Sequence, residues 1–164
     1  MRVAGLDVGD RTIGVAVSDE METVAQGVEV LRRTSSPRDV RAVVELVGRY
    51  GVGRIVVGLP RSMNGGVGPQ AQKVMAFAQE LQRAVHVPVD LWDERLTSRM
   101  AERAMLEADL SRAKRRRLVD RVAAALILQG YLDARRARAA GDTVVRGTPG
   151  PEGSGEADGS SETR

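Results

Sequence analysis

The chain opens with two short runs rich in β-branched and small apolar residues, RVAGLDV (2–8) and TIGVAVS (12–18). Only Gly9, Asp10 and Arg11 separate them, so the pattern predicts a β-hairpin. A third run, roughly 24–33, extends the same antiparallel meander. The period then changes from two to 3.6. Ser36 supplies an N-cap and Pro37 the first helical position, and Val40, Val43, Val44 and Val47 recur at helical spacing until Gly51 ends the helix. RIVVGL (54–59) is a compact apolar run suited to a strand buried in a parallel sheet.

A glycine-rich loop, PRSMNGGVGP, leads into a helix over about 69–84 with Val74, Phe77, Ala78 and Leu81 on one face. VPVDLW (87–92) gives a fifth strand. Thr97 or Ser98 caps a short helix reaching about Ala108. Ser111 caps a long one whose apolar face includes Val119, Val122, Ala123, Leu126 and Ile127, and which fades in the basic stretch RRARAA. From Gly141 onward Gly, Ser, Pro, Glu and Asp dominate, too little apolar surface to offset chain entropy. The expectation is one folded domain over 1–140 and a disordered tail over 141–164.

Three strands, a helix, a strand, a helix, a strand and then helices imply an α/β sandwich around a mixed five-stranded sheet. If the first, fourth and fifth strands run parallel, their C-terminal ends share one edge, where ligands of such sheets bind. Asp7, the glycine-rich loop and the pair Asp93-Glu94 all fall there.

Charge sharpens this picture. The segment from Gly147 to Arg164 holds Glu152, Glu156, Asp158 and Glu162 against a single arginine. Set against 25 basic and 22 acidic residues in the whole chain, it leaves the body about twice as positive as the formal +3. Such a surface attracts polyanions, nucleic acid foremost. Aromatic residues make up only 2% of the chain, which argues against a platform stacking successive bases and for a grip on backbone and shape. Cysteine is absent, no apolar run reaches membrane-spanning length, and Asp7 interrupts what would be the apolar core of a secretory signal. The expected location is the cytoplasm.

An acid inside an apolar strand is costly unless something neutralises it, and Asp7 is such an acid, unless it merely caps the hairpin turn. Glu94 or Asp93 sits at the same sheet edge, with either free to turn inward or to pair with Arg95. Asp120 lies between Val119 and Val122 on the last helix, near its apolar stripe, where an ion pair with Arg116 is the plain structural alternative. Three carboxylates brought together repel one another unless a divalent cation sits between them, and oxygen-only ligands favour Mg²⁺ or Mn²⁺. The lone His86 and the missing cysteines remove the usual zinc ligands. A hard cation beside a basic surface suggests phosphodiester hydrolysis. Arg112, Lys114, Arg115, Arg116 and Arg117 crowd the start of the last helix against its dipole, either as a solvated face or as a phosphate-binding patch. The loop Arg61 to Gly66 could also approach a phosphate, glycine letting the backbone come close.

Four segments, GLDVGDRTIGVAVSD (5–19), GLPRSMNGGVGPQA (58–71), DERLTS (93–98) and VDRVAAALILQGYLD (119–133), together resemble the YqgF/RuvX family over about residues 1–138. That family is described both as Holliday junction resolvases and as nucleases that process the 5′ end of precursor 16S ribosomal RNA. The resemblance implies a ribonuclease H-like fold and carries the motif acids onto Asp7, Glu94 and Asp120 as catalytic, metal-holding residues. It favours Glu94 over Asp93 as the ligand. It also implies a metal-dependent endonuclease with Mg²⁺ or Mn²⁺ as cofactor and in-line attack by an activated water. Structured RNA, precursor 16S ribosomal RNA above all, is the expected substrate, branched DNA the second, and a non-catalytic RNA-binding assembly factor the rival of another class. Arg11, Arg61, Asn64, Arg95, Arg116 and Arg117 are the expected contacts to substrate phosphates.

Overall fold

A computed structural model describes residues 1–61, 66–94 and 112–145, with side chains excepted at 112–119 and 142–145. The expected short helix over 97–108, the cap Ser111, and the side chains of Asn64, Arg95, Arg116 and Arg117 lie outside the described residues.

The sheet is five-stranded and mixed, in the order β3-β2-β1-β4-β5. β1 (Arg2–Val8) and β2 (Thr12–Ser18) form the predicted hairpin, with Asp7 opposite Gly14, and β3 (Ala25–Arg32) pairs antiparallel with β2. The hairpin turn closes through Gly9 N–H to the Thr12 carbonyl at 2.9 Å. β4 (Val52–Leu59) lies parallel to β1, and β5 (Val89–Asp93) parallel to β4, so three parallel strands end at one edge.

Period-two alternation divides the sheet into two buried faces. Ala4, Leu6, Val8, Ile13, Val15, Val17, Ile55, Val57 and Leu59 face α1 (Ser36–Tyr50) and α2 (Pro69–Ala84). On the other face, Val3, Ala16 and Val56 meet Ala124, Ile127, Leu128, Tyr131 and Leu132 of α3 (Arg112–Val145). No described helix is long and apolar enough to cross a membrane.

Three local expectations change. The N-cap of α1 is Ser35 rather than Ser36, and its side chain makes no capping bond. Asp39, in the first turn, instead ties down the residues that precede the cap: its carboxylate accepts from the Thr34 N–H at 3.0 Å and pairs with the Arg33 guanidinium at 3.2 Å. The sheet-facing stripe of α3 is Ala124, Ile127, Leu128, Tyr131 and Leu132, while Val122, Ala123 and Leu126 are only half-buried. Finally, α3 continues through Gly141 to Val145 instead of fading in the arginine-rich stretch.

Candidate active site

The position of α3 follows from glycines in the strands beneath it. A Cβ on Gly14 would collide with the Asp120 carbonyl, and one on Gly5 would stand 2.7 Å from Leu128 Cβ. An isolated strand glycine marks this kind of close approach. The contact also selects which helical stripe faces the sheet: small Ala124 meets Gly14 and Gly5, and one turn earlier on the same stripe comes Asp120. Because Gly14 pairs with Asp7, the helix carries Asp120 to Asp7 from above.

Asp7 shares its face of β1 with Val3 and Gly5. On β5 the same alternation sends Trp92 toward α3, and Glu94, two residues on, follows it. Gly58, opposite Trp92 on β4, leaves the space: a Cβ there would run into Glu94 Oε1 and Ile127 Cδ1. The Asp93 side chain turns the other way and pairs with Arg61 at 3.7 Å. Glu94 thus lies against Gly58 and hydrogen-bonds Asp7, while Asp93 faces Arg61.

The electrostatics are those of acids crowded under cover. Burial pushes Asp7 up to about 6; the charge of Asp120 adds to the rise, and a hydrogen bond from Glu94 opposes it. Burial also pushes Glu94 up to about 7, helped by the Asp7 charge, the hydrogen bond it donates to Asp7, and Asp93. The two carboxyls therefore hold one proton between them near neutrality. Asp120 accepts a 2.7 Å hydrogen bond from Thr12 Oγ1, which ties the helix to the hairpin.

Among the described residues no group of three acidic or histidine side chains is gathered closely enough to hold an ion as it stands. The hydrogen bonds from Glu94 to Asp7 and from Thr12 to Asp120 engage the oxygens instead. The donor set nevertheless fits a hard divalent cation: all oxygen, brought together from β1, the end of β5 and α3, with Asp7 and Glu94 raised in pKa by burial and mutual proximity.

Of the expected phosphate contacts, Arg11 is exposed at the hairpin tip beside Thr12, and Arg61 is engaged by Asp93. Sequence reasoning passed over Thr12, Gly14 and Gly58. The strand glycines were the available signal.

A family model described as "RuvX: Holliday junction resolvase" matches residues 1–134. A protein of Moorella thermoacetica named "Putative pre-16S rRNA nuclease" is 58% identical over 133 residues, covering 81% of this chain and 95% of its own length. A protein of the same name from Caldanaerobacter subterraneus is 52% identical over 137 residues, covering 83% and 99%. Among solved structures, Thermus thermophilus RuvC in complex with Holliday junction substrate superposes with a TM-score of 0.54 at 18% identity, covering 84% of this chain and 96% of that one. The fowlpox virus resolvase in complex with Holliday junction DNA gives 0.53 at 12%, covering 82% and 99%. These two likenesses show the ribonuclease H-like fold alone, and the sequence matches show more: the chain belongs to the RuvX family.

Proposed function

We propose that this chain is a divalent-metal-dependent endonuclease that hydrolyses phosphodiester bonds in structured RNA, with the 5′ region of precursor 16S ribosomal RNA as its substrate in the cytoplasm. Membership of a nuclease family and the names of the relatives support the reaction class and the substrate. The observation that carries the reading is the convergence of Asp7, Glu94 and Asp120 from three elements at the C-terminal edge of the parallel strands.

Asp7, Glu94 and Asp120 would hold Mg²⁺ or Mn²⁺, which when bound supplies an activated water and neutralises charge on the leaving oxygen. The chain's own residues prepare that state. Thr12 fixes Asp120 and Gly14 admits the helix, and the proton that Asp7 and Glu94 share would pass to solvent when both carboxylates serve as ligands. Arg11, Arg61, Asn64, Arg95, Arg116 and Arg117 orient the phosphates around the scissile bond. The function belongs to the folded domain that ends with α3 at Val145, so truncation after Val145 leaves cleavage unchanged.

The test offers the purified protein a precursor 16S RNA fragment and a four-way DNA junction, each with Mg²⁺ and with Mn²⁺. Cleavage of the RNA is expected. Cleavage of the junction alone transfers the proposal to branched DNA, the substrate in the family description. Binding without cleavage under either metal leaves the assembly-factor reading.

A further inference from the structure

Beyond the acids, the active-site edge carries two arginines that the sheet holds in a defined place. Arg32 ends β3 directly opposite Thr12, so the two side chains share a face, with Cβ atoms about 5 Å apart. That face is the one on which Thr12 donates to Asp120. Two strand spacings separate β3 from β1, placing the Arg32 backbone about 10 Å across the sheet from the strand of Asp7. Arg11 is next to it: the Arg11 carbonyl accepts the Arg33 N–H at 2.8 Å.

The three neighbouring arginines are used differently. Arg33 is largely buried and committed: its Nε pairs with buried Asp39 at 3.2 Å, its Nη1 donates to the Gly9 carbonyl at 3.0 Å, and its guanidinium lies 5.3 Å from the centre of the Phe77 ring. It locks the hairpin turn against α1 and α2. Arg11 and Arg32 are exposed, and among the described residues neither guanidinium has an ion-pair partner. A buried ion pair thus fixes the backbone that carries two exposed arginines at the same sheet edge as the carboxylates.

We infer that Arg32 and Arg11 form a phosphate-binding ledge that holds the RNA backbone on the β3 side of the scissile bond. The inference rests on the nuclease reading above and adds the course of the strand: across the hairpin tip, over Thr12, toward β3. Its contacts are to phosphate, so the ledge adds affinity and register with no base preference.

The experiment measures binding of a labelled precursor 16S RNA fragment to the full chain, without divalent ion, over 50–200 mM salt. Arg32→Gln should reduce the slope of log affinity against log salt by about 0.7 to 0.9, and Arg11→Gln with Arg32→Gln by about twice that. Arg32→Lys should restore the slope, because a point charge suffices for one phosphate. In cleavage assays Arg32→Gln should raise KM several-fold and leave kcat within about twofold. Arg138→Gln, exposed on α3 about 27 Å along the helix from Asp120, controls for loss of overall charge. If Arg32→Gln changes the slope no more than Arg138→Gln, or lowers kcat with KM unchanged, the ledge is wrong and the nuclease reading stands. If the wild-type chain itself shows no salt-dependent binding, that reading falls and the ledge with it.

Discussion

Asp90 and Glu94 stand on the same face of one strand edge, four residues apart, and the molecule treats them in opposite ways. Asp90 meets complementary groups: the Arg54 guanidinium at 2.5 Å and the Tyr131 hydroxyl at 2.9 Å, with Trp92 packed edge-on against the Tyr131 ring. Glu94 meets Asp7, another acid, with Asp120 beyond it. At the first end a carboxylate pins α3 to the sheet. At the second, the fold brings like charges together and stability suffers. A cluster of that kind persists in a packed protein when something outside the chain completes it.

The sharpest way to break the comparison is to neutralise one acid at each end. On the proposed metal reading, Asp7→Asn should abolish cleavage, by about a thousandfold or more, because it would remove an oxygen ligand from the ion that reading asks for several kcal/mol of transition-state stabilisation. Without metal it should melt no lower than wild type. Asp90→Asn should do the reverse, costing about 1 kcal/mol after allowance for partial exposure and sparing the rate of the folded protein. Thermal melts in chelator and single-turnover cleavage read both. Equal stability losses from the two substitutions would erase the distinction.

Acidity offers the next effect. Asp7 and Glu94 both titrate higher in the folded chain than the ordinary carboxylate values of 3.8 and 4.5. Between those values and about 6 to 7 the folded state holds more protons than the unfolded one, so their contribution falls as pH rises through this window. The shared proton puts the loss on the order of 2 kcal/mol for the pair. Urea unfolding in chelator at pH 5 and pH 7.5 should show it as a difference between wild type and Asp7→Asn. Parallel pH profiles would mean that Asp7 titrates alike in the folded and unfolded chain.

A smaller effect comes from the glycine contact. Gly14→Ala should destabilise by about 1 to 3 kcal/mol, since the new methyl group meets the Asp120 backbone rather than a movable side chain. Gly48→Ala in α1, where an added Cβ meets nothing within 4 Å, should instead stabilise by roughly 0.5 to 1 kcal/mol. Denaturation midpoints decide. A harmless Gly14→Ala would show that α3 is not seated as described.

The same glycines mark the limit of what the sequence disclosed. β1, β2 and α2 were legible to the residue because their hydrophobic periods are clean and proline or glycine punctuates them. The α3 stripe was misjudged because two overlapping stripes share Ile127, and only the depth of approach at Gly5 and Gly14 selects the one containing Asp120. Asp7 was legible as a charge in an apolar strand. Choosing between Asp93 and Glu94 needed the family resemblance; the structure sets Glu94 against Asp7 and Asp93 against Arg61. Thr12 gave no signal, since a polar residue opening a strand is ordinary.

Thr12 therefore supplies the finest test, at the end of β2 nearest the acids. At the other end, buried Ser18 accepts the Val3 N–H at 2.8 Å and donates to the Asp19 carbonyl at 2.9 Å, bonds that serve the sheet alone. Thr12→Val keeps the β-branched shape and removes only the hydroxyl that donates to Asp120. The lost bond is charge-assisted but half-exposed, so about 1 kcal/mol of stability should go. More telling, Asp120, a metal ligand on the proposed reading, loses the partner that orients it, and outer partners of such ligands are worth about tenfold or more in metal affinity. Thr12→Val should then need roughly tenfold more Mn²⁺ for half-maximal cleavage. Ser18→Ala, losing about 1 to 3 kcal/mol by stranding a buried donor, should leave that Mn²⁺ requirement unchanged. If Thr12→Val loses stability and keeps the wild-type Mn²⁺ requirement, the Thr12 hydroxyl belongs with Ser18 as a fastening of the sheet, and Asp120 is held by something else.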